Sequence, residues 1–188
     1  MKQVKTIVTL ILVILVLASM YSFMRDKKIK MAEDALKEMY TIDDLEELIE
    51  YEEFLMSLSP EAWVEEVSNP DVKFFDNMTK RGSERILQNR VLYIFKSAAI
   101  AKNFEMKVTK IVITEDFYRE AKESDLHEFT RQGYDYKVTL EITYLDDGAK
   151  EIFEEKGKIA FSLIEDEWLI DIIKPIGYKD VFVYPFIQ

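Results

Sequence analysis

The sequence predicts an α+β protein: an N-terminal transmembrane helix, then helices packed on an antiparallel sheet of about four strands. Three observations predict it. Residues 6–24 are nineteen residues without a charge. Apolar residues recur at helical spacing from there to about residue 102. Beyond residue 104 they alternate, with turn residues between the runs. Helices that precede a series of hairpin-linked strands segregate to one face of the sheet.

The apolar run comes first. At about 1.5 Å per residue, nineteen residues nearly cross a hydrocarbon core of about 30 Å. Lys2 and Lys5 precede it; Arg25, Lys27, Lys28 and Lys30 follow. The run is longer than the apolar core of a signal peptide and lacks a clean small-residue cleavage site around Leu17-Ala18-Ser19-Met20-Tyr21-Ser22. The expectation is an uncleaved single-pass anchor with its basic collar over residues 1–30 and one domain over 31–188. A count of basic flanks favours the domain inside. The short N-terminal tail and the ease with which long domains translocate favour it outside, which is the orientation adopted here.

Residues 31–39 read as helix continuing from the anchor. Thr41 is expected to cap a second helix, with Asp44 three residues later, and Leu45, Leu48, Ile49, Phe54, Leu55 and Leu58 to form its apolar stripe. Ser59-Pro60 starts a third helix whose apolar side is Trp63, Val64 and Val67, ended by Asn69-Pro70. Residues 71–81, with Phe74, Phe75 and Met78, read as a packed loop or short turn. Residues 83–102 read as one long helix with Leu87, Val91, Ile94, Phe95 and Ala98 inward.

The pattern then changes. Residues 104–117 are rich in β-branched residues, and 118–132 are polar and read as a loop with a little helix. Tyr136, Val138, Leu140, Ile142 and Tyr144 alternate with polar residues, a half-buried strand. Asp146-Asp147-Gly148 is a turn. A strand over 150–164 puts Ile159, Phe161 and Leu163 on one face, with a bulge expected at Gly157. After Glu165-Asp166-Glu167 the last strand alternates Trp168, Ile170 and Ile172, and Pro175 stops it.

Composition narrows the function. About thirty residues of anchor leave roughly 158 of the 188, enough for one domain with its own core. The net charge is −11; Lys2 and Lys5 account for two of the 25 basic residues, so the part beyond them stands at −13. Phosphate backbones repel such a domain, so nucleic acid is not an expected partner. There is no Cys, hence no disulfide and no thiolate site. His127 is the single histidine and lies in a polar stretch, with no nucleophile in sight for it to activate. A metal site is not expected from one His, and Asp146-Asp147-Gly148 is too short for a calcium loop. Asp135, Glu141 and Asp171 fall off the apolar faces of their strands, which places none of them in an apolar cavity. The expectation is no catalytic residue and no cofactor.

Two segments point to partners. Glu46, Glu47, Glu50, Glu52 and Glu53 line one helix, a solvated face or a surface that steers a basic partner. The tail YKDVFVYPFIQ is apolar on both faces. Tyr178, Phe182, Tyr184 and Phe186 are the candidate partner interface, against the plainer reading of a cover on the domain itself.

Helices followed by the stretches 136–144, Asp146-Asp147-Gly148 and 167–175 resemble the nuclear-transport-factor-2-like cone fold. A single anchor before such a domain resembles the VirB-eight family of type IV secretion and conjugation systems. Pro175, Gly177 and Tyr178 match that family's Asn-Pro-x-Gly-aromatic segment, while Lys174 stands in place of the Asn. The resemblance implies a curved, cone-like sheet and a bitopic, non-catalytic assembly subunit in the cell membrane. Its domain would lie outside the cytoplasm, bind other envelope proteins and self-associate. Two other readings stay open: an anchored ligand-binding or accessory domain of a sporulation, competence or cell-wall complex, and an isomerase- or dehydratase-like enzyme of the same fold.

Overall fold

The computed structural model describes residues 2–68, 72–88, 91–120 and 130–176, with backbone alone at 2–10, 91, 115–120 and 130–131. Within them, helices α1 (Lys2–Tyr40), α2 (Leu45–Ser57), α3 (Pro60–Ser68), α4 (Lys80–Gln88) and α5 (Val91–Lys102) precede strands β1 (Phe104–Glu120), β2 (Thr130–Tyr144), β3 (Lys150–Ile164) and β4 (Glu167–Pro175). The sheet is an antiparallel meander in the order β1-β2-β3-β4. This is the α+β architecture expected.

One helix runs through the apolar run, the basic collar and residues 31–39. Among the described residues no helix is long and apolar enough to cross a membrane; their side chains begin at Ile11. Beyond Met24 the same helix enters the domain. Ala32, Ala35, Leu36, Met39 and Tyr40 are buried, three and four residues apart, as one face of a helix requires. Tyr40 meets Phe95 of α5 edge-on at 4.9 Å and shares a 3.0 Å hydroxyl–hydroxyl bond with Tyr136 of β2. The packed part of α1 starts at Lys28, inside the basic collar. Lys28 is buried, donates to Gln132 Oε1 and lies 4.0 Å over the Trp168 ring.

The sheet has two unlike faces. Tyr134, Tyr136, Val138, Leu140, Ile142, Ile159 and Phe161 are buried against the helices. The other face carries the ion pairs Lys137–Glu154 (2.5 Å), Lys150–Glu141 (2.8 Å) and Lys158–Asp135 (3.2 Å), which lace β2 to β3 in water. Short bridges touch both edges: Ile42 exchanges two 2.8 Å bonds with Met106 of β1, and Met78 bridges Ile170 of β4. They occupy part of the backbone an edge strand otherwise leaves open.

Several expectations are corrected. Asp44, not Thr41, caps α2, its carboxylate accepting from the Glu47 amide at 2.9 Å; Ile42 is drawn into the sheet, which moves the helix start downstream. Of the α2 stripe Leu45, Leu48 and Leu55 are buried, but Ile49 and Phe54 are exposed. No residue of α3 is buried, so Trp63 and Val64 face solvent. The expected helix 83–102 starts earlier, at Lys80 with the Thr79 hydroxyl accepting from the Gly82 amide, and is described as α4 and α5, with residues 89–90 outside the described set. Its inward residues are Ile86, Leu92, Phe95, Ala98 and Ala99. Because α5 is apolar nearly all round, its sequence does not mark which face turns in. Of the polar stretch 118–132, expected as a loop, Tyr118, Arg119 and Glu120 pair with Gln132, Arg131 and Thr130, while residues 121–129 lie outside the described set. Cross-strand pairing outweighs local polarity there.

Gly157 makes no bulge: the β2–β3 register runs through it without a shift. A Cβ there would lie 2.3 Å from Cζ and Oη of Tyr136, so glycine makes room for the phenol. The bulge sits on β4 instead. Ala160 pairs with Ile172 and Phe161 with Ile170, leaving Asp171 as the extra residue. The phase of the strand then changes, so Ile170 and Ile173 are buried while Ile172 is partly exposed.

Candidate functional site

The carboxylates considered from sequence are put to structural use. The bulge turns Asp171 inward, where it is buried and accepts from the Thr79 hydroxyl at 2.8 Å. That hydroxyl in turn caps α4, so the Asp171–Thr79 pair docks the helix on the sheet. Gly82 permits the close approach, since a Cβ there would stand 2.9 Å from the Ile170 carbonyl oxygen. Asp135 and Glu141 lie on the open face in ion pairs. The Lys150 ammonium holds the Glu141 carboxyl below its ordinary range. His127 and the candidate interface Tyr178, Phe182, Tyr184 and Phe186 lie outside the described residues. Among the described residues no group of three or more His, Cys, Asp or Glu could hold a metal.

A concave feature lies elsewhere among the described residues. A cleft of about 420 Å³ opens between the 41–44 segment, α2, α3 and α5. Asp43, Asp44, Glu47 and Glu66 line it, with Lys96 as the lining cation and Tyr51 and Tyr93 as aromatic walls. Tyr51 donates to Glu66 at 3.2 Å and so ties α2 to α3. Burial, then the Glu66 charge, pushes the Tyr51 phenol up to about 12. The same two causes raise Tyr93. Burial lowers the Lys96 ammonium, against the opposing pull of Glu38 and Glu47. The Thr41 hydroxyl is buried in this lining and has no hydrogen-bond partner among the described residues. Chemically the cleft offers four carboxylates against the one Lys96 ammonium, with phenol faces and a hydroxyl, a balance suited to holding a cation rather than an anion.

Sequence periodicity pointed to the acidic stripe of α2 but not to this cleft. Tyr93 and Lys96 come from α5, more than forty residues beyond Tyr51, and only packing brings them to Tyr51 and Glu66. One signal was readable: no Lys or Arg occurs between Thr41 and Val72.

No known family model matches the chain. No curated protein is significantly similar to it. Among solved structures, a periplasmic fragment of TraM is similar with a TM-score of 0.46 and 13% identity, over 80% of this chain and 96% of that one. The intermembrane space region of the chloroplast protein ARC6 is similar with a TM-score of 0.33 and 8% identity, over 78% of this chain and 95% of that one. Likenesses at these values establish neither family nor activity.

Proposed function

We propose that this chain is a non-catalytic, membrane-anchored assembly subunit of a bacterial envelope complex, and specifically of a conjugative type IV secretion channel. One observation carries the reading: α1 is a single helix whose two halves have opposite surroundings. Residues 11–24 are exposed throughout, with Leu17 at 61% and Phe23 at 72%, whereas Ala32, Ala35, Leu36, Met39 and Tyr40 belong to the domain core. An apolar surface of this kind requires cover, and the nineteen-residue uncharged run of the sequence to which it belongs fits lipid. No flexible linker separates it from the domain. A subunit built so holds its domain at a set height and angle over the membrane, which suits a scaffold. The resemblance of the anchor and of Pro175, Gly177 and Tyr178 to VirB-eight proteins supports the choice of machine and a domain outside the cytoplasm.

Three measurements test this. The chain should stay with membranes after alkaline carbonate extraction. Protease added outside spheroplasts should degrade the domain. Deletion of the gene should abolish plasmid transfer, restored by the full chain but not by residues 31–188. A chain found in the soluble fraction, or starting near residues 20–23, would overturn the anchored reading.

A further inference from the structure

The charge of this protein is concentrated in one place. Eleven Asp and Glu and no Lys or Arg lie between Thr41 and Val72, so this segment accounts for the −11 of the whole chain and the remainder is balanced. Residues 45–68 of it fold as the hairpin α2–α3, joined by the Tyr51–Glu66 bond. The hairpin also leaves large apolar groups in water: Phe54, Met56, Trp63 and Val64 are all exposed. Phe54 lies beside the Tyr51 ring at 6.3 Å, and Trp63 stands three residues before Glu66, on the same side of α3. Apolar anchors, a ring of carboxylates and a tyrosine-walled acidic cleft thus meet at one hairpin.

We infer that this hairpin and its cleft are the docking surface for a basic amphipathic helix of a partner protein, with an Arg side chain of that helix entering the cleft between Tyr51 and Tyr93. Charge complementarity selects a basic occupant. The exposed aromatic residues select an apolar stripe beside the basic one, since such residues anchor interfaces. Arg fits the cleft better than Lys because its planar fork can bond Glu47 and Glu66 while its face lies on a phenol ring. The carboxylates repel nucleic acid and anionic lipid. That the occupant is an envelope protein rests on the assembly reading above. For an anchored chain, α1 ends at Tyr40, about 24 Å along the helix from Met24, and the segment that lines the cleft follows directly.

The test uses the full chain in mild detergent and, separately, in phosphatidylcholine nanodiscs. The probe is a fluorescein-labelled eighteen-residue helical peptide of Leu and Arg in an amphipathic pattern. Saturable one-to-one binding that weakens with salt is expected. Glu47→Gln, Glu66→Gln and Trp63→Ala should each weaken it about tenfold or more without lowering the melting temperature. Asp135→Asn and Glu154→Gln, on the open sheet face, should leave it unchanged. A peptide with Gln for Arg should not bind. Absent or unsaturable binding, equal losses from the sheet-face variants, or a wild-type affinity in Glu66→Gln would overturn the proposal. So would a photo-crosslinker at Phe54 that joins two copies of this chain in preference to the peptide. Binding in detergent is measured whether or not the chain is anchored, so carbonate extraction can defeat the membrane reading while the docking surface stands.

Discussion

Gly157→Ala tests how tightly α1 and the sheet are fitted together. The new methyl would stand 2.3 Å from Cζ and Oη of Tyr136 and 2.6 Å from the Lys174 carbonyl oxygen. Ordinary carbon contacts begin near ~3.4 Å, so the Tyr136 phenol has to retreat by roughly 1 Å, and the β4 backbone by somewhat less. The phenol is buried and bonded at 3.0 Å to Tyr40, which is itself buried on α1. Overpacking costs about 1–3 kcal/mol. Losing the tyrosine–tyrosine bond in the core adds ~1–3 kcal/mol. Against this, alanine reduces unfolded-state entropy by about 0.4–1 kcal/mol. A net loss of about 2–4 kcal/mol follows, a fall in melting temperature of roughly 5–15 °C for a domain of this size. Near-UV circular dichroism of the full chain in mild detergent reads it directly. Tyr136→Leu removes the clashing atoms, so the double variant should be less damaged than the two losses combined by ~1–3 kcal/mol. A Gly157→Ala protein as stable as wild type, or additive losses in the cycle, would refute the packing argument.

Three further outcomes are expected. Glu165 and Asp166 form the β3–β4 turn with φ of 49° and 66°, so Glu165→Asn with Asp166→Gly should raise stability by about 0.5–1 kcal/mol in a thermal melt, and a loss would contradict the turn geometry. Burial raises the Tyr40 and Tyr136 phenols, and burial with Glu66 brings Tyr51 to about 12. Folded values above the unfolded value near ~10 mean stability that is complete below that pH and lost as pH climbs through the folded values. Absorbance at 295 nm should therefore show Tyr40 and Tyr136 ionising only together with alkaline unfolding, and early, reversible ionisation of all tyrosines would contradict it. In the tail, Phe182→Ala and Phe186→Ala should weaken assembly by ~1–4 kcal/mol while leaving the melting temperature nearly unchanged; a core-sized loss of about 3–5 kcal/mol in both, with crosslinking intact, would make the tail a cover instead.

The cleft shows why a site is harder to read than a fold. Most of its acidic side is local: Asp43, Asp44 and Glu47 lie at the start of α2, and Glu47 is one of the glutamates that periodicity set off the apolar stripe. Its aromatic and basic side is not. Tyr93 and Lys96 carry no mark in sequence that separates them from other residues of a mostly apolar helix. Their roles arise from the packing of α5 against α2, which also desolvates Lys96. Thr41 looked like a helix cap, and its hydroxyl is instead part of the cleft wall because Ile42 pairs with Met106.

By itself, the sequence determined what short-range physics controls. A nineteen-residue apolar run has to be one long helix. The alternation Tyr136 to Ile142 has to be a half-buried strand, and Asp146-Asp147-Gly148 has to turn, as the Gly148 φ of 71° bears out. Helices before hairpin-linked strands led to the α+β class. Tertiary structure decided whatever depends on two distant segments meeting. It shifted the phase of β4 through the Asp171 bulge, where the approach of Thr79 gives that carboxylate a buried partner. It extended β1 and β2 through a polar stretch because each strand supplies the other's backbone bonds. It left Trp63 and Phe54 in water, although their spacing matches core positions, because no element of the described fold lies over them. Periodicity tells which residues share a face; only the packed chain decides whether that face finds a cover.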